Sequence, residues 1–151
     1  MIFVTVGSTS FDELIRKVDE LKASGFIKDY VIAQVGYGKY VPKYIDRWFR
    51  FSRDLKSYIA QADLIITHGG AGTLYEILHL GKKAIAIMNP HAINNRELPE
   101  ELHKRQMIIL CESVSSLERC LREAMSREFK RYTPARCRIH EVIIKYLEAL
   151  E

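Results

Sequence analysis

The 151-residue chain is long enough for one domain with a buried core, and its 48% hydrophobic and 28% charged residues fit a water-soluble globular protein. A formal charge of +4 suits an anionic ligand or membrane surface but is too small to argue for nucleic acid. Cys111, Cys120 and Cys137 stand far apart with no Cys-x-x-Cys, which disfavours zinc and disulfide frameworks and points to a reducing compartment. No basic region precedes the opening apolar run, and no apolar run approaches the ~20 residues of a spanning helix, so a soluble, cytoplasmic chain is expected.

In chain order, residues 2–6 are a continuous apolar, β-branched run and predict a first strand. Gly7, Ser8, Thr9 and Ser10 form a polar turn. Ser10 with Glu13 predicts a capping box for a helix whose apolar face is Leu14, Ile15, Val18 and Leu21, ended by Gly25. Residues 30–35 predict a second strand, followed by a Gly36-Tyr37-Gly38 turn, and residues 47–51 a third. Leu55, Tyr58 and Ile59 mark a short helix.

Residues 64–67 predict a buried strand, and His68-Gly69-Gly70-Ala71-Gly72-Thr73 follows it directly. Leu74, Ile77 and Leu78 then recur at helical spacing as far as Gly81. Strand, glycine turn and helix start together make an anion site. Glycines let a ligand approach the backbone, and the helix aims unpaired N–H groups and partial positive charge at it. Thr73 offers a hydroxyl to a phosphate, and Glu76 an acceptor to a ribose hydroxyl. The alternative is an unliganded turn in which Thr73 and Glu76 form only a capping box. The string is neither a Walker motif nor the dinucleotide fingerprint.

Residues 84–88 predict another strand. Asn94 or Asn95 is expected to cap a helix reaching about Arg105, residues 107–111 a last strand, and Ser113 to open a helix bearing Leu117, Leu121 and Met125. A final helix starts near Thr133-Pro134, with an apolar stripe through Ile139, Val142, Ile143, Tyr146, Leu147 and Leu150 and basic Arg136, Arg138 and Lys145 on its other side. Alternating strands and helices predict an α/β domain spanning 1–151, a parallel Rossmann-like sheet with helices on both faces. Its polar turns gather beyond the carboxyl ends of the strands, where such sheets bind ligands.

Residues 3–9, the Gln34-Val35-Gly36 turn, residues 62–73, Gly81-Lys82 and the Asn94-Asn95-Arg96-Glu97-Leu98 loop resemble the C-terminal half of glycosyltransferase family 28. That family includes the donor domain of the peptidoglycan GlcNAc-transferase, the catalytic subunit of the eukaryotic dolichol-diphosphate GlcNAc-transferase, and bacterial exopolysaccharide subunits. The resemblance implies the donor half of a GT-B fold, a domain binding a nucleotide sugar, usually UDP-GlcNAc. It implies that Gly70, Ala71, Gly72 and Thr73 surround the diphosphate, with Gly69 among the substrate-binding residues, that Glu76 holds the ribose, and that Gly7, Ser8 and Thr9 close over the cleft. It places Asn94, Asn95, Arg96 and Glu97 near the donor sugar. Many relatives carry His-Gln or Gln-Gln where this chain has Arg96-Glu97, so the sugar stays open: Glu97 can only accept hydrogen bonds, and Arg96 could pair with a uronate.

The activity so implied is inverting transfer of a sugar, GlcNAc by resemblance, from a UDP-sugar to a polyprenyl-linked acceptor. No metal or cofactor is expected, because the chain lacks Asp-x-Asp and glycine amides can stabilise the leaving diphosphate. His68 is the candidate general base within the chain, unless the base lies in an acceptor half. A membrane-anchored acceptor-binding subunit is the expected partner, placing the chain at the cytoplasmic membrane face; a homo-oligomer is a further possibility. A non-catalytic UDP-sugar-binding module is the alternative function, and a stand-alone sugar-nucleotide epimerase a weaker one.

Overall fold

The computed structural model describes residues 1–92, 95–132 and 139–150, with the side chains of Ile139 and His140 left aside. Its centre is a six-stranded, wholly parallel sheet in the order β3-β2-β1-β4-β5-β6. The strands are β1 (Ile2–Thr5), β2 (Val31–Gln34), β3 (Arg47–Phe49), β4 (Leu64–Thr67), β5 (Lys83–Ile87) and β6 (Ile109–Cys111). The helices are α1 (Asp12–Ala23), α2 (Leu55–Gln61), α3 (Ala71–His79), α4 (Glu97–Lys104), α5 (Leu117–Ser126) and α6 (Ile139–Ala149), with a 3₁₀ turn at Val114–Ser116. The expected Rossmann-like class is the observed one.

Both faces of the sheet are covered, so its strands read as unbroken apolar runs, and alternation divides each run between two cores. Ile2, Val4, Leu64, Ile66, Ile85 and Ile87 pack with Leu14, Ile15 and Val18 of α1 and Leu117 and Leu121 of α5. Phe3, Ile65, Ala84 and Ala86 pack on the other face with Ile59, Leu74, Ile77, Leu98, Leu102 and Ile143, from α2, α3, α4 and α6.

Register positions the functional edge. Thr5 of β1 lies level with Gln34 of β2 and Thr67 of β4, and Thr67 level with Ala86 of β5. The chain turns away to opposite sides after β1 and β4, so the crevice between their carboxyl ends is the topological switch point.

Several local expectations change. The helix after β1 begins at Asp12 with Phe11 as its N-cap and no side-chain cap, so Ser10 and Glu13 form no capping box; the Glu13 carboxylate turns to His91 Nε2 at 2.9 Å. α3 begins two residues before Thr73, with Gly70 as N-cap, which removes the Thr73–Glu76 capping box as well. Ser113 leads into the 3₁₀ turn rather than straight into α5. Asn94, Thr133, Pro134, Arg136 and Arg138 lie outside the described residues. The α6 stripe is divided: Ile143 and Tyr146 are buried, whereas Leu147 and Leu150 are exposed, as is Ile144 outside the stripe. No described helix is long and apolar enough to cross a membrane.

Asp19 fixes the irregular stretch between β2 and β3. It is only 2% exposed, on the inner side of α1. Its carboxylate accepts from the Tyr40 hydroxyl at 2.6 Å and from the N–H groups of Lys43 (3.0 Å), Tyr44 (2.7 Å) and Ile45 (2.9 Å). Burial pushes this carboxyl up, and the four hydrogen bonds outweigh it and hold it below the usual aspartate value. The charged form is therefore the one the fold favours. Asp19→Asn should cost about 1–3 kcal/mol at neutral pH, because donors then face an amide. The stability Asp19 supplies is complete above the unfolded value of about 3.9 and is lost as pH falls through the lower folded one. Urea titrations should show the gap between variant and wild type at pH 7 closing in acid; a variant as stable as wild type at pH 7 would refute this role.

Candidate nucleotide-sugar site

The turns after β1 and β4 meet at the switch point. His68, directly beyond β4, packs its imidazole against the backbone of Gly7 and Gly70. A Cβ on Gly7 would stand 2.8 Å from His68 Nε2, and one on Gly70 3.1 Å from Cε1. Gly7 also has φ +63°, in the left-handed region that glycine enters freely. Its N–H donates to Thr5 Oγ1 at 3.2 Å, and that hydroxyl donates to Gln34 Oε1 at 2.5 Å, so the turn hangs from the buried ends of β1 and β2. Burial lowers the His68 pKa below its ordinary 6.5, which keeps the imidazole neutral at pH 7. Its Nδ1 is buried with no partner among the described residues.

Residues 69–73 carry the chain from β4 into α3. Gly70 is the N-cap, and no side chain caps the helix. The amides of the first turn, at Ala71, Gly72 and Thr73, therefore lack the side-chain acceptor that helix starts usually have, and the helix dipole adds to their pull on an anion. Gly72 sits inside the helix, and a Cβ there would meet nothing within 4 Å. Glycine in a helix costs roughly 1 kcal/mol relative to alanine. No neighbour among the described residues requires that cost, which leaves the backbone at Gly72 open to approach from outside. One turn on, Glu76 keeps a buried carboxylate oxygen, Oε2, without a partner among the described residues.

Two cavities flank this helix start. One, of about 340 Å³, is bounded by Thr9, His68, Gly69, Gly70, Ala71, Ala92, Asn95 and Leu98, with Tyr146 and Leu150 of α6 across it. The other, of about 410 Å³, runs between Gly72, Thr73 and Glu76 on one side and Ser52, Arg53 and Lys56 on the other. Ala71 borders the first and Gly72 the second, so the uncapped amides lie between the two.

The remaining expected residues fall as follows. Thr9 donates to the Val6 carbonyl at 2.7 Å and accepts from Asn89 Nδ2 at 3.3 Å. Ser8 is exposed beside it. Asn95 lines the first cavity, and its Oδ1 accepts from the N–H of Glu97 at 2.9 Å, a local turn ahead of α4. Arg96 and Glu97 are not brought into that cavity. Arg96 is exposed and paired with Glu100 (3.1 Å) and Glu112 (3.3 Å), beside a separate cavity of about 600 Å³. The Glu97 carboxylate turns to the groove between α4 and α6. Residues the sequence reading passed over are Ser52, Arg53 and Lys56, opposite Glu76, and the buried Asn89. The Asn89 side chain donates to the Ser10 carbonyl at 2.9 Å and accepts from the His91 N–H at 2.9 Å, tying the β5 turn to the β1 turn. A signal for Arg53 was present, since it lies in the connection after β3 and so at the same carboxyl edge of the sheet as His68.

A family model described as the glycosyltransferase family 28 C-terminal domain matches residues 1–146. The UDP-N-acetylglucosamine transferase subunit ALG13 of Mus musculus is 37% identical over 123 residues, covering 72% of this chain and 10% of its own length. The Homo sapiens protein of the same name is 36% identical over 124 residues, covering 73% and 11%. The chain thus spans about a tenth of the length of these curated relatives. An NMR solution structure of ALG13 shares the fold with a TM-score of 0.61 at 21% identity, over 91% of this chain and 93% of that one. The glycotransferase of kitacinnamycin does so with a TM-score of 0.62 at 17% identity, over 98% of this chain and 39% of that one. With nearly its whole length matched by one family and its fold recurring inside larger glycosyltransferases, the chain belongs to the glycosyltransferase family 28 C-terminal domain family, the Rossmann-like half of a GT-B fold.

Proposed function

We propose that the chain is the donor-binding, catalytic subunit of a UDP-sugar-dependent glycosyltransferase, with UDP-GlcNAc as donor and a polyprenyl-linked sugar as acceptor. The observation that carries this is the start of α3: uncapped amides, open space over Gly72, and an unpartnered Glu76 oxygen one turn along. The diphosphate lies on the amides of Ala71, Gly72 and Thr73. The ribose reaches Glu76 in the larger flanking cavity, where Arg53 and Lys56 add positive charge. The donor sugar lies in the smaller one, between His68 and Asn95.

Transfer with inversion needs negative charge on the departing diphosphate to be stabilised and a proton to leave the acceptor hydroxyl. The helix start supplies the first through fixed N–H dipoles, without calling on a metal. Neutral His68 lines the sugar cavity and is able to accept the proton. The acceptor-binding half comes from a second, membrane-anchored protein, which holds this chain at the cytoplasmic membrane face. The exposed Ile144 and Leu147 on α6 offer it an apolar docking face.

Gly72→Val should fold as well as wild type, since valine is no worse than glycine in a helix and its Cβ meets open space. It should weaken UDP binding by at least about tenfold, equivalent to roughly 1.4 kcal/mol. Calorimetry on the folded variant checks this, and unchanged affinity would remove the diphosphate from this turn.

Glu76→Gln separates ligand binding from helix stability. Glu76 caps nothing, so melting should shift little, while losing a charged acceptor should weaken UDP binding about tenfold or more. A stability loss with affinity retained would give Glu76 a purely structural role.

The purified chain alone should bind UDP-GlcNAc yet transfer nothing to a polyprenyl-diphosphate sugar. Transfer should appear when a membrane-anchored acceptor half is co-expressed. Efficient transfer by the isolated chain would overturn the requirement for a partner, and binding without transfer in the full complex would make the chain a passive module.

A further inference from the structure

Among the described residues of the loop entering α4, Asn95 and Glu97 both meet the hydroxyl of Tyr146, and the structure treats them differently. Tyr146 of α6 is 9% exposed, and its hydroxyl lies 2.7 Å from Asn95 Oδ1 and 2.9 Å from Glu97 Oε2. The phenol has one proton to share between these acceptors. Burial, and then the hydrogen bond to Glu97, push its pKa up to about 12, so it remains a donor at any physiological pH. Glu97 is thus engaged on the groove side, away from the cavity that His68 lines.

Asn95 is left in the opposite condition. Two donors, the Glu97 N–H and the Tyr146 O–H, converge on its carbonyl oxygen. They fix which way the amide is turned, because its NH₂ group cannot face either of them. Asn95 Nδ2 makes no hydrogen bond among the described residues, and the residue borders the 340 Å³ cavity with Ala92 and the buried Leu98. We propose that Asn95 is the residue of this loop that reads the donor sugar, through its amide NH₂, and that Tyr146 is the positioning residue that turns this amide toward the sugar.

This rests on the donor-site reading above and deepens it. An NH₂ donor beside apolar Ala92 and Leu98 suits a sugar presenting a hydrogen-bond acceptor next to an apolar group, as an acetamido substituent does. A carboxylate at the same point could only accept. The positioning group comes from a helix some fifty residues further along the chain (|i−j| = 51), so the sugar pocket is complete only when α6 is docked on α3 and α4.

The test is calorimetry of the full chain with two probes, UDP and UDP-GlcNAc. Tyr146→Phe and Asn95→Ala should each bind UDP within about twofold of wild type and UDP-GlcNAc at least fivefold more weakly, while Glu97→Gln should keep both affinities within about twofold. A merely structural role for Tyr146 would move both ligands together or neither. Should Tyr146→Phe fail to fold, the exposed Asn95→Ala carries the same comparison. Unchanged UDP-GlcNAc affinity in Asn95→Ala, or a sugar-specific loss in Glu97→Gln, would overturn the assignment while leaving the nucleotide site standing. Wild-type protein that binds neither probe would overturn the donor-site reading and the assignment together.

Discussion

The packing of the His68 ring on the bare backbone of Gly7 and Gly70 is the constraint from which the functional edge is built. β1 and β4 pair without stagger, Ile2 with Leu64 through Thr5 with Thr67, so their chains leave the sheet level with one another. Two turns then compete for one space. Residues without a Cβ at 7 and 70 let the imidazole fill it, and the first amides of α3 come to lie beside the crevice rather than over it. Thr5 and Gln34 hold one turn from below, and Asn89 ties it to the turn after β5. A side chain at Gly7 would displace His68 and, through it, the start of α3.

The distribution of hydrogen-bonding partners separates framework from site. Thr5, Asp19, Gln34 and Asn89 are buried polar residues, and each is engaged inside the protein. Such groups rigidify the loops they join, because an unmade bond in a low-dielectric interior is costly. The buried side-chain atoms without a partner among the described residues are Thr67 Oγ1, His68 Nδ1 and Glu76 Oε2. All three belong to the β4–α3 unit. Among the described residues the unsatisfied buried atoms are thus confined to the unit on which the donor site is proposed.

α6 joins two functions on one helix. Its inner residues, Ile143 and Tyr146, are buried where α6 packs on α3 and α4, and Tyr146 with Leu150 closes one side of the cavity that His68 lines, while Ile144 and Leu147 face outward. Whatever settles on the outer face settles on the element that shapes the pocket. Under the proposed function, an acceptor half docking on this face would have a short physical route to the donor site.

The sheet, its parallel sense and the glycine turn were legible in the sequence, because all three follow from local patterns and their order along the chain. Continuous β-branched runs such as residues 64–67 specify doubly covered strands, and glycines directly after such a run mark the turn into the next helix. Local patterns misled where a short polar side chain had more than one possible partner. Ser10 and Glu13 have the spacing of a capping box, yet His91, 78 residues away from Glu13, takes the carboxylate. Thr73 and Glu76 have it too, yet α3 begins two residues earlier and leaves Glu76 uncommitted. The pairing of Tyr146 with Asn95, the siting of Arg53 opposite Glu76, and the exclusion of Arg96 and Glu97 from the sugar cavity were decided only by tertiary packing. Each is a contact between elements distant in the chain, or a choice among rotamers at a helix start. Periodicity and spacing describe which face of an element is apolar; they hold no information about which neighbouring element that face finally meets.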